Sequence, residues 1–170
     1  MLIYIIIILA ISARFVPHMP NFAPITALAI FSAANMDWKK SVGLTLVVRF
    51  ASDAFLGFFS WPLMLAVYAS HLVGVLFGLW IKKGESYRWL KIVGSSLGAS
   101  AVFFFVTNFA FFYSGYSHNI SGILLAYTNG LPFLRGTVLG DLSYTLALFG
   151  SLALVKVLVR SRQKIFSTNV

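Results

Sequence analysis

Long runs of apolar residues, several of them about the length needed to cross a lipid bilayer, are the feature that most limits how this chain can fold. The hydrocarbon core of a bilayer is about 30 Å thick and takes about 20 helical residues to cross. Hydrophobic residues make up 59% of the chain and charged residues 10%, against about 45–50% and about 25% in soluble domains. A soluble protein of this composition would expose large apolar patches. We therefore expect an integral membrane protein, and we exclude a soluble enzyme, a secreted disulfide scaffold and a disordered linker.

The apolar runs predict an all-α integral membrane protein, a compact bundle of six transmembrane helices. The predicted spans are residues 1–16, 22–34, 41–59, 63–81, 90–112 and 133–159. Residues 1–160 then form a single membrane domain, and residues 161–170 form a short basic cytoplasmic tail. The first run also resembles a cleaved signal peptide, because Ala10 and Ser12 are small residues at a cleavage-like spacing. Cleavage would leave five spans.

Basic residues are concentrated between or after the apolar runs. Ten of the 13 Lys and Arg residues fall into three groups. The groups are Lys39 and Lys40; Lys82, Lys83, Arg88 and Lys91; and Lys156, Arg160, Arg162 and Lys164. Six spans place all three groups and both termini on one side, in agreement with the Lys/Arg excess of cytoplasmic loops. We therefore predict a multi-pass protein of the cell inner (plasma) membrane with cytoplasmic N- and C-termini, and no nucleic-acid partner.

Five ionisable residues fall within or beside the predicted spans: Arg14, Arg49, Asp53, Arg135 and Asp141. A charge in hydrocarbon costs about 2.5–3.5 kcal/mol on insertion scales, so such residues are functional candidates by default. At 1.5 Å per residue, Asp53 and Asp141 both lie about 9 Å below the outer surface. Arg49 shares a helix face with Asp53 because the two are four residues apart. We expect these charges to converge on an outward-facing polar cavity.

Polar residues of the outer segments complete the predicted cavity. The candidate substrate-binding residues are Arg14, His18, Asn21, Arg49, Asp53, Asn108, His118, Arg135 and Asp141. A purely structural interpretation stays open for three of them. Arg49 and Asp53 would then form an ion pair that locks helix packing, and Arg135 would extend its charge to the membrane interface.

Glycine and proline residues interrupt several of the apolar runs. Residues 113–133 are apolar but interrupted by Gly115, Gly122, Gly130 and Pro132. Because this region exceeds normal loop length, we predict a partly re-entrant outer loop at about 113–133. Three Gly-x-x-x-Gly pairs, at positions 74 and 78, 94 and 98, and 136 and 140, predict close packing of helices inside the bundle.

The sequence carries few signs of catalytic or metal chemistry. It contains no Cys, which excludes disulfides and zinc–thiolate sites. His18, His71 and His118 are not at metal-ligand spacing, and His71 is interpreted as a packed, hydrogen-bonded residue. No phosphate-binding loop and no pair of nucleophile and base is legible. We therefore predict no enzymatic activity, no catalytic residue, no metal site and no cofactor bound by this chain.

Several stretches of the chain carry a family resemblance. They are Pro20–Ala29 at the start of the second apolar run, Ser52–Gly57 at the end of the third, Pro62 before a Gly-rich fourth run, and Leu131–Phe133 before the last. With these stretches and its layout of six helices, the chain resembles the substrate-binding S components of energy-coupling factor (vitamin-type) transporters. It also resembles an uncharacterised bacterial membrane family that is often grouped with them.

The resemblance implies a function and a set of partners. An S component binds a vitamin or a metal near its outer face under a loop lid. It then docks on a transmembrane coupling subunit that carries two ATPases, so ATP would be used by those partner subunits. Docking in the family uses Ala-x-x-x-Ala patches on the first helix. Here Ala10 and Ala13 miss that spacing, whereas Ala29 and Ala33 on the second apolar run have it.

The preferred interpretation is therefore the substrate-binding membrane subunit of a small-solute importer, in contact with a small-molecule ligand and the lipid bilayer. The alternative is a structural scaffold without transport activity, resembling the small rod-shape-determining membrane proteins. A membrane enzyme that acts through His18 or His118 with Asp53 ranks third, because no acid–base constellation supports it.

Overall fold

The protein is all-helical, as expected from its apolar runs. The computed structural model describes residues 2–13, 15–16, 19–84, 86, 88–109 and 115–167. Within this part of the chain there are six helices. They are α1 (Leu2–Ala13), α2 (Ile25–Asn35), α3 (Trp38–Leu56), α4 (Trp61–Lys82), α5 (Arg88–Phe109) and α6 (Ile120–Ser167).

Three of the helices are long and apolar enough to cross a membrane: α4, α5 and the portion Ile120–Ser161 of α6. The prediction of a membrane protein is supported by these helices, but six full-length spans are not. The described parts of α1 and α2 have 12 and 11 residues, so each is shorter than the about 20 residues that a bilayer core requires. α3 has 19 residues, and four of them are charged: Lys39, Lys40, Arg49 and Asp53.

The surface and the interior of the bundle have the polarity expected in lipid. Large apolar side chains project outward, and Phe55, Ile120 and Leu90 are 82%, 77% and 71% exposed. Small polar residues lie inside, including Ser41, Ser52, Ser95, Ser96, Ser100, Thr45 and Thr145. Small residues allow helices to approach closely in membranes. Lipid tails are as apolar as the side chains, so burying an apolar side chain between helices there gains little free energy. The interior therefore combines close contacts of small side chains with a cluster of larger apolar ones, which includes Ile25, Leu28 and Phe31.

Helix α2 is the centre of the bundle. Its residues 25–34 are all buried, and it contacts every other helix. The closest contact is with α4, where Gly74 and Gly78 face α2. A Cβ at Gly74 would lie 3.1 Å from the Cβ of Ala29, and one at Gly78 would lie 2.7 Å from that of Ala33. Glycine is therefore required at Gly78 for the two backbones to meet.

The spacing of Ala29 and Ala33 thus serves contacts within the chain. Both side chains are fully buried, and they form a small cluster with Val75 of α4. This pair had the spacing that the transporter resemblance associates with docking on a coupling subunit. In the folded chain the pair is covered by α4, so it is not a surface for a partner.

The two other glycine pairs differ from each other. Gly136 and Gly140 of α6 lie against the backbone of residues 20–23, where added Cβ atoms would meet the Pro20 carbonyl and Phe22 Cα. Gly98 of α5 lies against the ring of Phe77, but Gly94 has no neighbour within 4 Å that an added Cβ would meet. Internal packing is therefore confirmed for the pairs at 74 and 78 and at 136 and 140, and only half of the third pair is used.

The predicted re-entrant loop is wrong over most of its length. α6 begins at Ile120 and continues through Pro132 for 48 residues, so residues 120–133 are helical. The glycines in this stretch provide close approach and do not break the helix: a Cβ at Gly130 would collide with the side chain of Asn108. The Tyr127 hydroxyl also donates to the Phe105 carbonyl at 3.0 Å. Glycine and proline are tolerated in membrane helices when neighbouring groups support the backbone, and α5 supplies that support.

The contact between α2 and α4 yields a test of the fold. We expect Gly78→Ala to destabilise the protein by about 1–3 kcal/mol, because the added methyl group overpacks a tight contact. Gly94→Ala is the matched control, since a Cβ there meets open space, and it should stabilise the helix by about 0.5–1 kcal/mol. Thermal unfolding in detergent measures both. Equal shifts in the two unfolding midpoints would contradict this account of the core.

Candidate functional site

A polar cavity of about 210 Å³ lies within the bundle. Side chains from five helices and from the segment before α2 line it. The lining residues are Asn21, Ala23, Thr26, Arg49, His71, Phe103, Thr137 and Asp141. We refer to this space, defined by these residues, as the polar cavity.

The segment that precedes α2 forms one wall of the polar cavity. Its backbone packs on Gly136 and Gly140 of α6, which brings it close enough for Asn21 and Ala23 to line the cavity. Asn21 has a φ angle of 60°, in the left-handed region that asparagine tolerates better than most residues. The local turn therefore depends on both the small residues of α6 and the asparagine.

Arg49 and Asp53 form a two-pronged ion pair on α3. Arg49 Nη2 lies 2.9 Å from Asp53 Oδ1, and Arg49 Nε donates to Asp53 Oδ2 at 2.9 Å. The Tyr68 hydroxyl on α4 donates to the same Oδ2, also at 2.9 Å. Asp53 is only 2% exposed. The charge that Arg49 brings to the polar cavity is thus matched by a buried carboxylate behind it.

Asp141 is held differently, by hydroxyl groups. The Ser100 hydroxyl of α5 donates to Asp141 Oδ2 at 2.7 Å, and the Thr26 side chain of α2 is a second hydrogen-bond partner. Asp141 is 2% exposed. Its carboxylate therefore ties α2 and α5 to α6 and still faces the polar cavity.

His71 extends this network to α4. Its Nδ1 lies 3.2 Å from Thr26 Oγ1, and its ring stacks at a tilt on Phe103 with centroids 5.2 Å apart. A hydroxyl has a single hydrogen, so a Thr26 that donates to Asp141 accepts from Nδ1–H of His71. The expected packed, hydrogen-bonded role of His71 is confirmed, and the same side chain also lines the polar cavity.

The structure brings some of the predicted site residues together. Asn21, Arg49 and Asp141 line the polar cavity, and Asp53 lies directly behind it through its ion pair with Arg49. The first three come from parts of the chain that are 28 to 120 positions apart. This group therefore depends on tertiary packing and not on local spacing.

Other predicted site residues lie elsewhere. Arg135 and His118 are exposed, and neither lines the polar cavity. Asn108 donates from Nδ2 to the Phe104 carbonyl at 2.8 Å and packs on Gly130. Arg14 and His18 fall outside the described residues. Arg135 misses the polar cavity because it lies six residues, and so about 240° around the helix, from Asp141.

Five polar or aromatic residues around the polar cavity were missed by the sequence analysis: Thr26, Tyr68, Ser100, Phe103 and Thr137. Thr137 could have been found, because it precedes Asp141 by four residues and so shares its helix face. Thr26 and Ser100 carry no such local signal. Hydroxyl side chains are common in membrane helices, and only the packing of α2 and α5 on α6 brings these two to the carboxylate.

The arrangement suits reversible binding of a polar group. Around the polar cavity the described ionisable residues are one arginine, two aspartates and one histidine, so the carboxylates outnumber the arginine. No group of three or more His, Cys, Asp or Glu side chains that could hold a metal occurs among the described residues. Among the described residues, Arg49 forms an ion pair with Asp53 and not with Asp141. A hydrogen-bond donor or a cation in the cavity would therefore be attracted to Asp141.

The ion pair on α3 yields a second prediction. Asp53→Asn should destabilise the protein by about 3–5 kcal/mol, because it leaves the guanidinium of Arg49 without its counter-charge in a largely buried position. The double variant Arg49→Gln with Asp53→Asn removes both charges and should recover part of that loss. Thermal unfolding in detergent compares the variants. A double variant that is less stable than Asp53→Asn would show that the pair does not act as a unit.

Comparisons with known proteins place the chain in a family. No curated protein and no solved structure matches the chain. One family model, described as a family of unknown function (DUF6580), matches residues 1–164. That match includes all the described residues of the polar cavity and nearly the whole of the helical bundle. The chain belongs to the family of unknown function DUF6580.

Proposed function

We propose that this chain is a solute-binding membrane protein, the substrate-binding subunit of a small-solute importer. The observation that carries the proposal is the polar cavity of about 210 Å³ with the buried carboxylate of Asp141 in its wall. A buried ionisable residue in a membrane protein is expensive to keep and commonly marks a substrate or ion pathway. The resemblance to S components of energy-coupling factor transporters also supports a solute-binding function.

The chemistry of the polar cavity narrows the class of solute. A water molecule occupies about 30 Å³ of the liquid, so the cavity has room for roughly seven waters or a compact organic molecule. Drug-sized ligands occupy pockets of about 300–1,000 Å³. Arg49 is already matched by Asp53, whereas Asp141 is held only by hydroxyl groups in the contacts described above. The preferred solute is therefore small and carries a cationic group or a hydrogen-bond donor that meets Asp141.

Import itself would require partner proteins. The chain has no phosphate-binding loop, so energy from ATP would come from partner ATPases through a transmembrane coupling subunit. Since Ala29 and Ala33 are buried against α4, such a subunit would dock on another surface. In this proposal the end of the bundle that carries Lys82 and Arg88 faces the cytoplasm.

The proposal is tested by the solute that the protein retains. Native mass spectrometry of gently purified protein should detect a bound small molecule, which its mass identifies. Asp141→Asn should weaken its binding about 10- to 150-fold, because a hydrogen bond to a charged group contributes about 1.5–3 kcal/mol. Arg135→Gln is the matched control: it removes a charge from the same helix at an exposed position, and occupancy should not change.

Two results would contradict the proposal. Wild-type protein with no bound small molecule, even after incubation with a cell extract, would leave the polar cavity without a solute. A bound solute that Asp141→Asn retains in full would place its site elsewhere. If no solute binds and both variants still recruit the same membrane partners, the scaffold alternative accounts for the protein better.

A further inference from the structure

A second, larger cavity lies at the other end of the described bundle. Its volume is about 640 Å³. Four basic side chains line it: Lys82 at the end of α4, Arg88 at the start of α5, and Lys156 and Arg160 on α6. We call this cavity, defined by these four residues, the basic pocket.

No carboxylate stands among the described residues that line the basic pocket. Of the four acidic residues in the chain, Asp141 lines the polar cavity and Asp53 is paired with Arg49 behind it. Asp37 caps α3 and accepts from the backbone amides of Lys39 and Lys40, and Glu85 falls outside the described residues. Positive charge from three helices is therefore gathered around one cavity without an acidic residue among the side chains that line it.

The first turn of α5 adds to this positive potential. A helix N-terminus carries a partial positive charge, so acidic residues are normally favoured there. The first turn of α5 has none and contains Arg88 and Lys91 instead. Both side chains add to the positive potential of the helix N-terminus, which attracts an anion.

A topology signal alone does not account for this arrangement. The excess of Lys and Arg in cytoplasmic loops requires only that basic residues lie on one side of the membrane. Lys39 and Lys40 satisfy it as exposed side chains on the first turn of α3, outside the lining of the basic pocket. By contrast, Lys82 is held at the pocket, where its ammonium donates to the Met36 carbonyl at 2.6 Å.

The rest of the lining identifies the kind of anion. Trp89, Ile92 and Leu152 contribute apolar wall beside the cations, and Trp89 is 50% exposed. Tryptophan is enriched where membrane helices reach the headgroup region. Basic pockets between helices on the cytoplasmic side of a membrane bind anionic headgroups. We propose that the basic pocket binds a phosphate-bearing anion, and that its ligand in the membrane is the headgroup of an anionic phospholipid.

The proposal is independent of the solute in the polar cavity, and a lipid titration tests it. Delipidated full-length protein in detergent is titrated with phosphatidylglycerol, and bound lipid is counted by native mass spectrometry. The double variant Lys156→Gln with Arg160→Gln should bind about 30-fold more weakly, at about 1 kcal/mol for each basic residue near a membrane surface. Each single variant should lose about fivefold on the same basis.

The matched control is the double variant Lys39→Gln with Lys40→Gln, which removes the same charge from the same end of the bundle and should leave the affinity unchanged. All four side chains are exposed, so the fold should be retained, and thermal unfolding without lipid checks this. Phosphatidylcholine, which carries no net charge, should bind much more weakly than phosphatidylglycerol.

Three outcomes distinguish the basic pocket from the charged face as a whole, and a lipid headgroup from a soluble anion. Equal losses in the two double variants would overturn the pocket, because the whole charged face would then be responsible. Phosphatidylcholine that binds as tightly as phosphatidylglycerol would also overturn it. Pyrophosphate that binds with the same dependence on Lys156 and Arg160, while phosphatidylglycerol does not, would keep a phosphate site but assign it to a soluble anion.

Discussion

The contact of α2 with α4 is the constraint on which the rest of the bundle depends. Gly78 removes the one side-chain atom that would collide with Ala33 and with the Ile30 carbonyl. The close approach buries α2 almost completely, although its 11 residues are too few to cross a bilayer. A short helix can sit at the centre only because longer helices enclose it. Thr26, on its first turn, is thereby carried to the carboxylate of Asp141 on α6.

The charges of the chain are divided between the two ends of the bundle. Near one end, Asp53 and Asp141 are buried, one paired with Arg49 and the other held by hydroxyl groups. At the other end, Lys82, Arg88, Lys156 and Arg160 line a cavity whose described lining contains no carboxylate. The buried carboxylates are costly unless a partner completes them. The cations of the basic pocket are exposed or only partly buried, and they attract an anion by their shared positive charge. The two cavities therefore differ in the sign of the ligand that each one favours, and both lie along the same helix, α6.

The sequence predicted much of this arrangement, but only where the signal was local. Four residues separate Arg49 from Asp53, and this spacing placed them on one face as the structure has them. Asn21, Arg49 and Asp141, which were expected to share one polar cavity, do line one cavity. The prediction for Arg135 considered its position along the helix but not the direction in which its side chain projects. In the structure Arg135 lies on a different face of α6 from Asp141 and does not line the polar cavity. Thr26 and Ser100 depend on contacts between helices far apart in sequence, which no spacing rule contains.

Glycine and proline account for the largest error in the predicted fold, and Pro132 also has a physical consequence. Proline lacks an amide hydrogen, so the backbone of residue 132 cannot donate to the Thr128 carbonyl one turn earlier. The turns before it are attached to α5 by the Tyr127 hydroxyl and by the fit of Gly130 against Asn108. α6 is thus continuous in its backbone, but its hydrogen-bond ladder lacks one donor at Pro132. Its first three turns are therefore held in part by a neighbouring helix, and the gap in their own hydrogen-bond ladder lies between them and the turns that carry Asp141.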